Sequence, residues 1–147
     1  LLSQDLKPGQ RVHVLSLLGD NLYQAGNRKK AYAAYEQALK IDPEYIPVLN
    51  NYAYFLSLDR KKLSKAQKMS KITVDKEPDN ATYLDTYGYI LYLRGKAAQA
   101  KPYFKRAMMF GGKQSKDVLE HYSAVLDALG EKELSNYFLM LSKETKQ

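Results

Sequence analysis

The sequence predicts an all-α chain, a solenoid of about four antiparallel helix-turn-helix units, and three observations predict it. Pro8, Pro43 and Pro78 stand 35 residues apart, and Gly112, in the proline-free turn Gly111-Gly112-Lys113, follows Pro78 by 34. A fixed period of that length is the signature of stacked helix pairs. Within each period apolar residues recur at i, i+3 and i+7, the spacing of one buried helical face. The 147 residues are 45% hydrophobic and 27% charged, which supplies a core and excludes disorder, collagen and a disulfide scaffold.

The elements follow in order. Residues 1–10 read as the remnant of a preceding unit: Leu6-Lys7-Pro8 parallels Lys40-Ile41-Asp42-Pro43, as the tail of a second helix and its turn. The chain is therefore expected to be cut from a longer array. The units span 12–45, 46–80, 81–114 and a degenerate 116–147. Their first helices carry the stripes Leu15, Leu18, Leu22; Leu49, Tyr52, Leu56; Leu84, Tyr87, Leu91; and Leu119, Tyr122, Leu126. A small residue follows the middle member each time: Gly19, Ala53, Gly88 and Ser123. Glycine costs about 1 kcal/mol in a helix interior, so Gly19 and Gly88 imply close approach of a second helix.

Short turns come next, at Ala25-Gly26-Asn27, Asp59-Arg60-Lys61, Arg94-Gly95-Lys96 and Leu129-Gly130-Glu131. The second of these lacks the glycine and carries one extra residue. The second helices present Ala31, Tyr35, Ala38; Ala66, Ser70, Thr73; Ala100, Phe104, Ala107; and Ser135, Leu139, Ser142, small-large-small faces suited to tight pairing. Pro43 and Pro78 stop two of them. The last helix, with Leu134, Tyr137, Phe138, Leu139, Met140 and Leu141, is more apolar than one packed face needs. Either a further repeat or a second copy is expected against it.

These residues resemble the tetratricopeptide repeat. The first repeat reads Leu15, Leu18, Gly19, Leu22, Ala31, Tyr35, Ala38, Pro43, and the third reads Leu84, Tyr87, Gly88, Leu91, Ala100, Phe104, Ala107. Phrases such as NNYAYFLS and YLDTYGYILYLRGK look most like bacterial arrays of this family. The second repeat departs from the pattern at Ser70 and Thr73, the fourth at Ser123, Ser135 and Ser142.

The resemblance implies a right-handed superhelix with the first helices lining its concave side. It also implies a non-catalytic scaffold that binds a protein or peptide there. Carried over position by position, the groove takes His13, Ser16, Leu17, Asp20, Tyr23 and Gln24 from the first repeat, then Pro47, Asn50, Asn51, Tyr54 and Ser57 from the second. The third contributes Thr82, Asp85, Thr86, Tyr89 and Tyr92, and the fourth Asp117, Glu120, His121, Ala124 and Asp127. Asp20, Tyr23, Asn50, Asn51, Tyr54, Asp85, Tyr89, Tyr92 and Glu120 are the expected contact residues. Amides offer a donor and an acceptor to an extended backbone, and tyrosines give rigid contact area at low entropy cost. Tyr52, Tyr87 and Tyr122, in the packing stripes, are expected in the core.

The net charge is +7, which raises nucleic acid as a partner. The basic excess falls on the second helices, whereas the groove positions are acidic, amide-rich and aromatic. They lack the cations with which some family members clamp a peptide carboxylate, so a neutral or basic partner is expected. Lys62, Lys65, Lys68 and Lys71 form a basic stripe whose nucleic-acid binding would be weak and sequence-independent. The other alternative is an architectural segment of a larger array, or self-association through the last helix.

No cysteine is present, which excludes disulfides, thiolate metal sites and a cysteine nucleophile. No cofactor or metal is expected. His13 and His121 lie in the first and last repeats and read as single surface or groove histidines. Gly111-Gly112-Lys113-Gln114-Ser115 lacks the glycine spacing of a phosphate loop and reads as a turn between repeats. Asn80-Ala81-Thr82 fits a glycosylation acceptor, but Asn80 stands where a helix begins and is expected to cap it. No apolar run approaches the roughly 20 residues of a membrane span. The expected compartment is the bacterial cell envelope or periplasm, with the cytoplasm as the alternative.

Overall fold

The computed structural model describes residues 6–145, and among them holds eight α-helices, one 3-10 turn and no strand. The helices are α1 (Pro8–Gln24), α2 (Arg28–Ile41), α3 (Ile46–Asp59), α4 (Leu63–Lys76), α5 (Ala81–Leu93), α6 (Ala97–Met109), α7 (Lys116–Ala128) and α8 (Lys132–Glu144). Odd-numbered helices are the first helices of the repeats and even-numbered ones the second. The fold is a helical solenoid. The chain divides into two compact units, Leu1–Tyr52 and Ala53–Gln147, so α3 contributes to both.

In the first unit α1 packs on α2. The ring of Tyr35, fully buried on α2, lies where a Cβ on Gly19 would come within 2.4 Å of it. That is the close approach the glycine implied. Tyr52 then packs against the same ring in a tilted pair, 5.3 Å between centroids. The middle stripe position therefore packs on the preceding second helix. Leu18 occupies that position in α1, where no described helix precedes it, and it is 43% exposed rather than buried. Pro8 opens α1, where proline is suited to a first helical position because its φ is preset and it has no N–H left unpaired. The Lys7 N–H is satisfied by Gln10 Oε1 at 2.9 Å. Of the expected remnant at 1–10, residues 1–5 lie outside the described residues.

The second unit repeats the tier. Gly88 of α5 faces Phe104 of α6, Phe104 stacks on Tyr122 of α7 at 5.6 Å, and Tyr122 meets Phe138 of α8 at 4.7 Å. Val74, Leu84, Leu91, Val118, Leu119, Val125 and Leu126 close the core around them. In α8 the large buried member is Phe138, not Leu139, which is 37% exposed. Phe138 is one turn from Ser135 and so lies on the face that reaches Tyr122. The serines of this repeat are compensated: the Ser123 hydroxyl donates to Ser135 O at 2.9 Å, and Ser135 Oγ to Ser123 O at 3.0 Å. Asn80 caps α5, its Oδ1 accepting from the Tyr83 N–H at 3.1 Å.

Three of the four hairpin turns place glycine in the left-handed region: Gly26 at φ +86°, Gly95 at +79° and Gly130 at +80°. Each closes a Schellman motif, as in Gly26 N–H to Tyr23 O at 3.0 Å and Asn27 N–H to Leu22 O at 2.9 Å. Arg60 makes the same bonds at φ +52°, and the extra residue of this turn brings Lys62 to +48°. A side chain in this region costs about 1–2 kcal/mol, of which glycine's greater chain entropy returns roughly half. Arg60→Gly is expected to stabilise the protein by about 0.5–1 kcal/mol. Urea denaturation checks it, and an unchanged or lowered midpoint would show that the turn is unstrained at Arg60.

Candidate functional site

The candidate contact residues lie on the first helices, and each unit gathers its own set. In the first unit Asp20 is an acceptor at the meeting of three helices. Its Oδ1 takes the Tyr35 hydroxyl at 2.5 Å and the Asn51 amide at 3.1 Å. Burial, reinforced by the Asp20 carboxylate, pushes the Tyr35 hydroxyl far above the ordinary phenol range, so it stays a donor. Asn50 is buried, and its amide reaches Asn51 Oδ1 at 3.4 Å while its own Oδ1 is buried without a hydrogen-bond partner. Tyr23 is half-buried, 6.3 Å from the Tyr32 ring, with the Arg28 guanidinium 4.8 Å over its face. Asp20 and Asn51 thus tie the first helices to the Tyr35 tier.

In the second unit Asp85, Tyr89, Tyr92 and His121 form one cluster. Asp85 Oδ1 and His121 Nδ1 are 2.8 Å apart, and both side chains are largely buried, 9% and 16% exposed. The Tyr89 ring stacks on the imidazole at 4.0 Å, and Tyr92 follows Tyr89 at 6.0 Å. Burial opposes a charge on His121, but the hydrogen bond to Asp85 and the carboxylates of Asp85, Asp117 and Glu120 outweigh it and hold the imidazole above its ordinary range. Burial pushes the Asp85 carboxyl up as well, against the pull of His121. The pair therefore keeps a shared proton to higher pH than a free imidazole does. Glu120 is exposed on the same helix, and Tyr54 is half-buried with its ring 5.8 Å from Phe55.

His121 is more than the single surface or groove histidine its isolation in sequence suggested. The signal was the period: equivalent positions are 34–35 residues apart, so groups separated by 36, as Asp85 and His121 are, sit on neighbouring first helices. The imidazole meets the Asp85 carboxylate and the Tyr89 ring face. Among the described residues no cluster of three or more His, Asp or Glu side chains is arranged to hold a metal ion. Tyr52, Tyr87 and Tyr122 are in the core, as their stripe positions implied.

The charge distribution is uneven between the two helix sets. The four first helices carry two cations and six carboxylates, and the four second helices thirteen cations and four carboxylates. Much of the basic excess is answered locally: Lys101 pairs with Glu131 at 2.7 Å, Lys71 with Asp75 at 2.6 Å, Lys132 with Asp127 at 2.5 Å, and Arg106 with Asp79. No helix among the described residues is long and apolar enough to cross a membrane.

Helix pairs repeating at a fixed period, with polar and aromatic side chains on their first helices, define a helical-repeat protein, the class that serves as protein-interaction scaffolds. Tetratricopeptide-repeat family models match residues 12–45 and 34–68. Tetratricopeptide repeats are thus shown over these residues, and the members of that family are in general non-catalytic interaction scaffolds. No curated protein sequence matches it. Among solved structures, a MamA variant superposes with a TM-score of 0.73 at 16% identity, covering 99% of this chain and 81% of that one. PilW, described as a widely conserved type IV pilus biogenesis factor, gives 0.80 at 21% identity over 90% of this chain and 61% of its own. YrrB, described as a tetratricopeptide-repeat protein with an unusual peptide-binding site, gives 0.70 at 15% identity over 90% of this chain and 67% of its own. At these identities the likeness is one of fold.

Proposed function

We propose that the chain recruits a neutral or basic peptide or protein segment on the faces of its first helices, through Asp20, Tyr23, Asn50, Asn51, Tyr54, Asp85, Tyr89, Tyr92 and Glu120. The observation that carries this reading is the charge division: six carboxylates against two cations on the first helices of a chain whose net charge is +7. A face of that sign, rich in half-buried tyrosine, favours cationic and amide groups. The roles within the set differ. Tyr23, Tyr92 and Glu120 offer surface, whereas Asp20, Asn51 and Asp85 hold the helices that present it. The peptide site named for YrrB supports the same use of this fold here.

A second reading has its own observation. On α8 Leu134, Tyr137 and Met140 are 39%, 51% and 62% exposed, an apolar face compatible with self-association or with packing in a larger array. The cell envelope is the compartment that accompanies either reading, with the cytoplasm as its alternative. Tyr23→Ala, Tyr92→Ala and Asn50→Ala, made singly, test the first reading in a pull-down with light scattering on the same samples. Loss of the captured partner at Tyr23 and Tyr92 with an unchanged melting temperature supports the groove. A wild-type chain that captures only itself, as a stable dimer, replaces it with the second reading.

A further inference from the structure

One part of the basic face is built differently from the rest. Ser64, Gln67, Lys68 and Lys71 recur at i, i+3, i+4 and i+7 and so share one face of α4. With Tyr87 of α5 and Arg94 just beyond its end, that face lines a cavity of about 360 Å³ inside the second unit. Three cations meet there. Asp75 answers part of the charge of Lys71, but no carboxylate pairs with Lys68 or Arg94 among the described residues. Arg94 is held in place, its Nη1 donating to Gln67 Oε1 at 2.6 Å, which leaves the other guanidinium N–H groups for an acceptor. Tyr87 is 6% exposed and gives the cavity an aromatic wall. No ring from α4 covers that wall, because α4 carries Ser70 where α2 has Tyr35 and α6 has Phe104.

The neighbouring repeats do not share this arrangement. The four α4 positions correspond by the repeat period to Lys29, Tyr32, Ala33 and Glu36 in α2, and to Ala98, Lys101, Pro102 and Lys105 in α6. In α2 the residue at the place of Lys71 is Glu36, which accepts the Tyr52 hydroxyl at 2.6 Å. A carboxylate there is replaced by a cation here, and Arg94 is added. In α6 a cation recurs at the place of Lys71, as Lys105, but the places of Lys68 and Arg94 hold Pro102 and Leu129, so the full set is particular to the α4–α5 pair.

We propose that this cavity binds a phosphoryl group, brought either by a small phosphomonoester or as free phosphate. An arginine fork and two lysine point charges match a compact dianion better than a single carboxylate. The volume lies at the lower end of small-ligand sites and leaves space beside the phosphoryl for a ring or sugar against Tyr87.

Isothermal titration of the chain with phenyl phosphate, and separately with inorganic phosphate, at low ionic strength tests this. Saturable binding at one site is expected, weakened at least tenfold by Arg94→Gln and by Lys68→Gln. Lys105→Gln, at an exposed lysine of α6, should leave it unchanged. Tighter binding of phenyl phosphate assigns the cavity to a monoester, and equal binding assigns it to the free ion. Absence of saturable binding by either probe overturns the proposal. So does a loss in Lys105→Gln as large as in Arg94→Gln, since that would be attraction to the general basic surface. All three side chains are exposed, so circular dichroism is expected to show an unchanged helix content in each variant.

Discussion

His121→Ala is expected to destabilise the protein by about 3 kcal/mol at pH 7, because it removes one partner of a buried pair and leaves the other uncompensated. Asp85 is buried, and the hydrogen bond of its carboxylate is made to the imidazole that this variant removes. Its escape is to take up a proton, so the loss in this variant should shrink as pH falls toward the range where a buried carboxyl protonates. Asp85→Asn separates the charge from the packing. An amide keeps the shape and a hydrogen bond to His121, and its cost should be smaller than that of His121→Ala.

The same pair fixes the sign of a pH dependence. Both folded-state values are raised above the ordinary ones, about 6.5 for histidine and 3.9 for aspartate. The folded chain therefore holds a proton that the unfolded chain releases. The stability this contributes is complete below the unfolded values and is lost as pH rises through the raised folded value of His121. The melting temperature should fall as pH rises above about 6.5, and fall less in Asp85→Asn. Proton NMR of the imidazole reads the cause directly: it should titrate above the ordinary value in the wild type and move down in Asp85→Asn. An imidazole that titrates at the same pH in both proteins would show that Asp85 does not hold the proton.

Gly88→Ala carries the second large effect, and here two magnitudes compete. Alanine for glycine inside a helix gains about 1 kcal/mol of propensity. Against it, a Cβ at position 88 would stand 2.6 Å from a ring carbon of Phe104. That ring is fully buried and stacked on Tyr122, so it has no room to retreat. Overpacking of this kind costs about 1–3 kcal/mol beyond the propensity gain, and more for Gly88→Leu. The net change for Gly88→Ala should be destabilising. Adding Phe104→Leu should recover part of it, with a coupling of about 1 kcal/mol in a double-mutant cycle. A rise in stability for Gly88→Ala alone would mean that the helices give way, and that the tier is not rigid.

These two sites differ in how far the sequence announced them. Gly88 was visible as an otherwise costly glycine opposite an aromatic in a repeat, because the penalty is local and the period supplies the partner. The hairpins, the caps at Asn80 and at the turn glycines, and the core places of Tyr52, Tyr87 and Tyr122 were visible for the same reason. Each rests on a backbone preference or on the pitch of a single helix, which the order of residues encodes directly. Leu18 and Leu139 were misplaced because burial depends on what a helix face meets, and that is not a property of the helix. Leu18 has no described helix beside it, and Phe138 reaches Tyr122 where Leu139 does not.

The candidate site was legible as a set of positions but not as a set of roles. The repeat placed Asp20, Asn51 and Asp85 on the first helices alongside Tyr23 and Tyr92, and nothing in the order of residues separated them. Packing did. Asp20 spends its carboxylate on Tyr35 and Asn51, and Asp85 spends its own on His121, so hydrogen bonds between helices took up groups that were otherwise available to a ligand. The cavity of Lys68, Lys71 and Arg94 shows the same limit from the other side. That Lys68 and Lys71 stand three residues apart on one helix is a sequence fact, but Arg94 enters from the end of the next helix, 26 residues beyond Lys68. The sequence by itself determined an all-α repeat of 34–35 residues and the buried stripes of α3, α5 and α7, because both follow from periodicity. Only the tertiary structure decided which polar groups are spent and which remain, because that depends on distances between helices that periodicity does not contain.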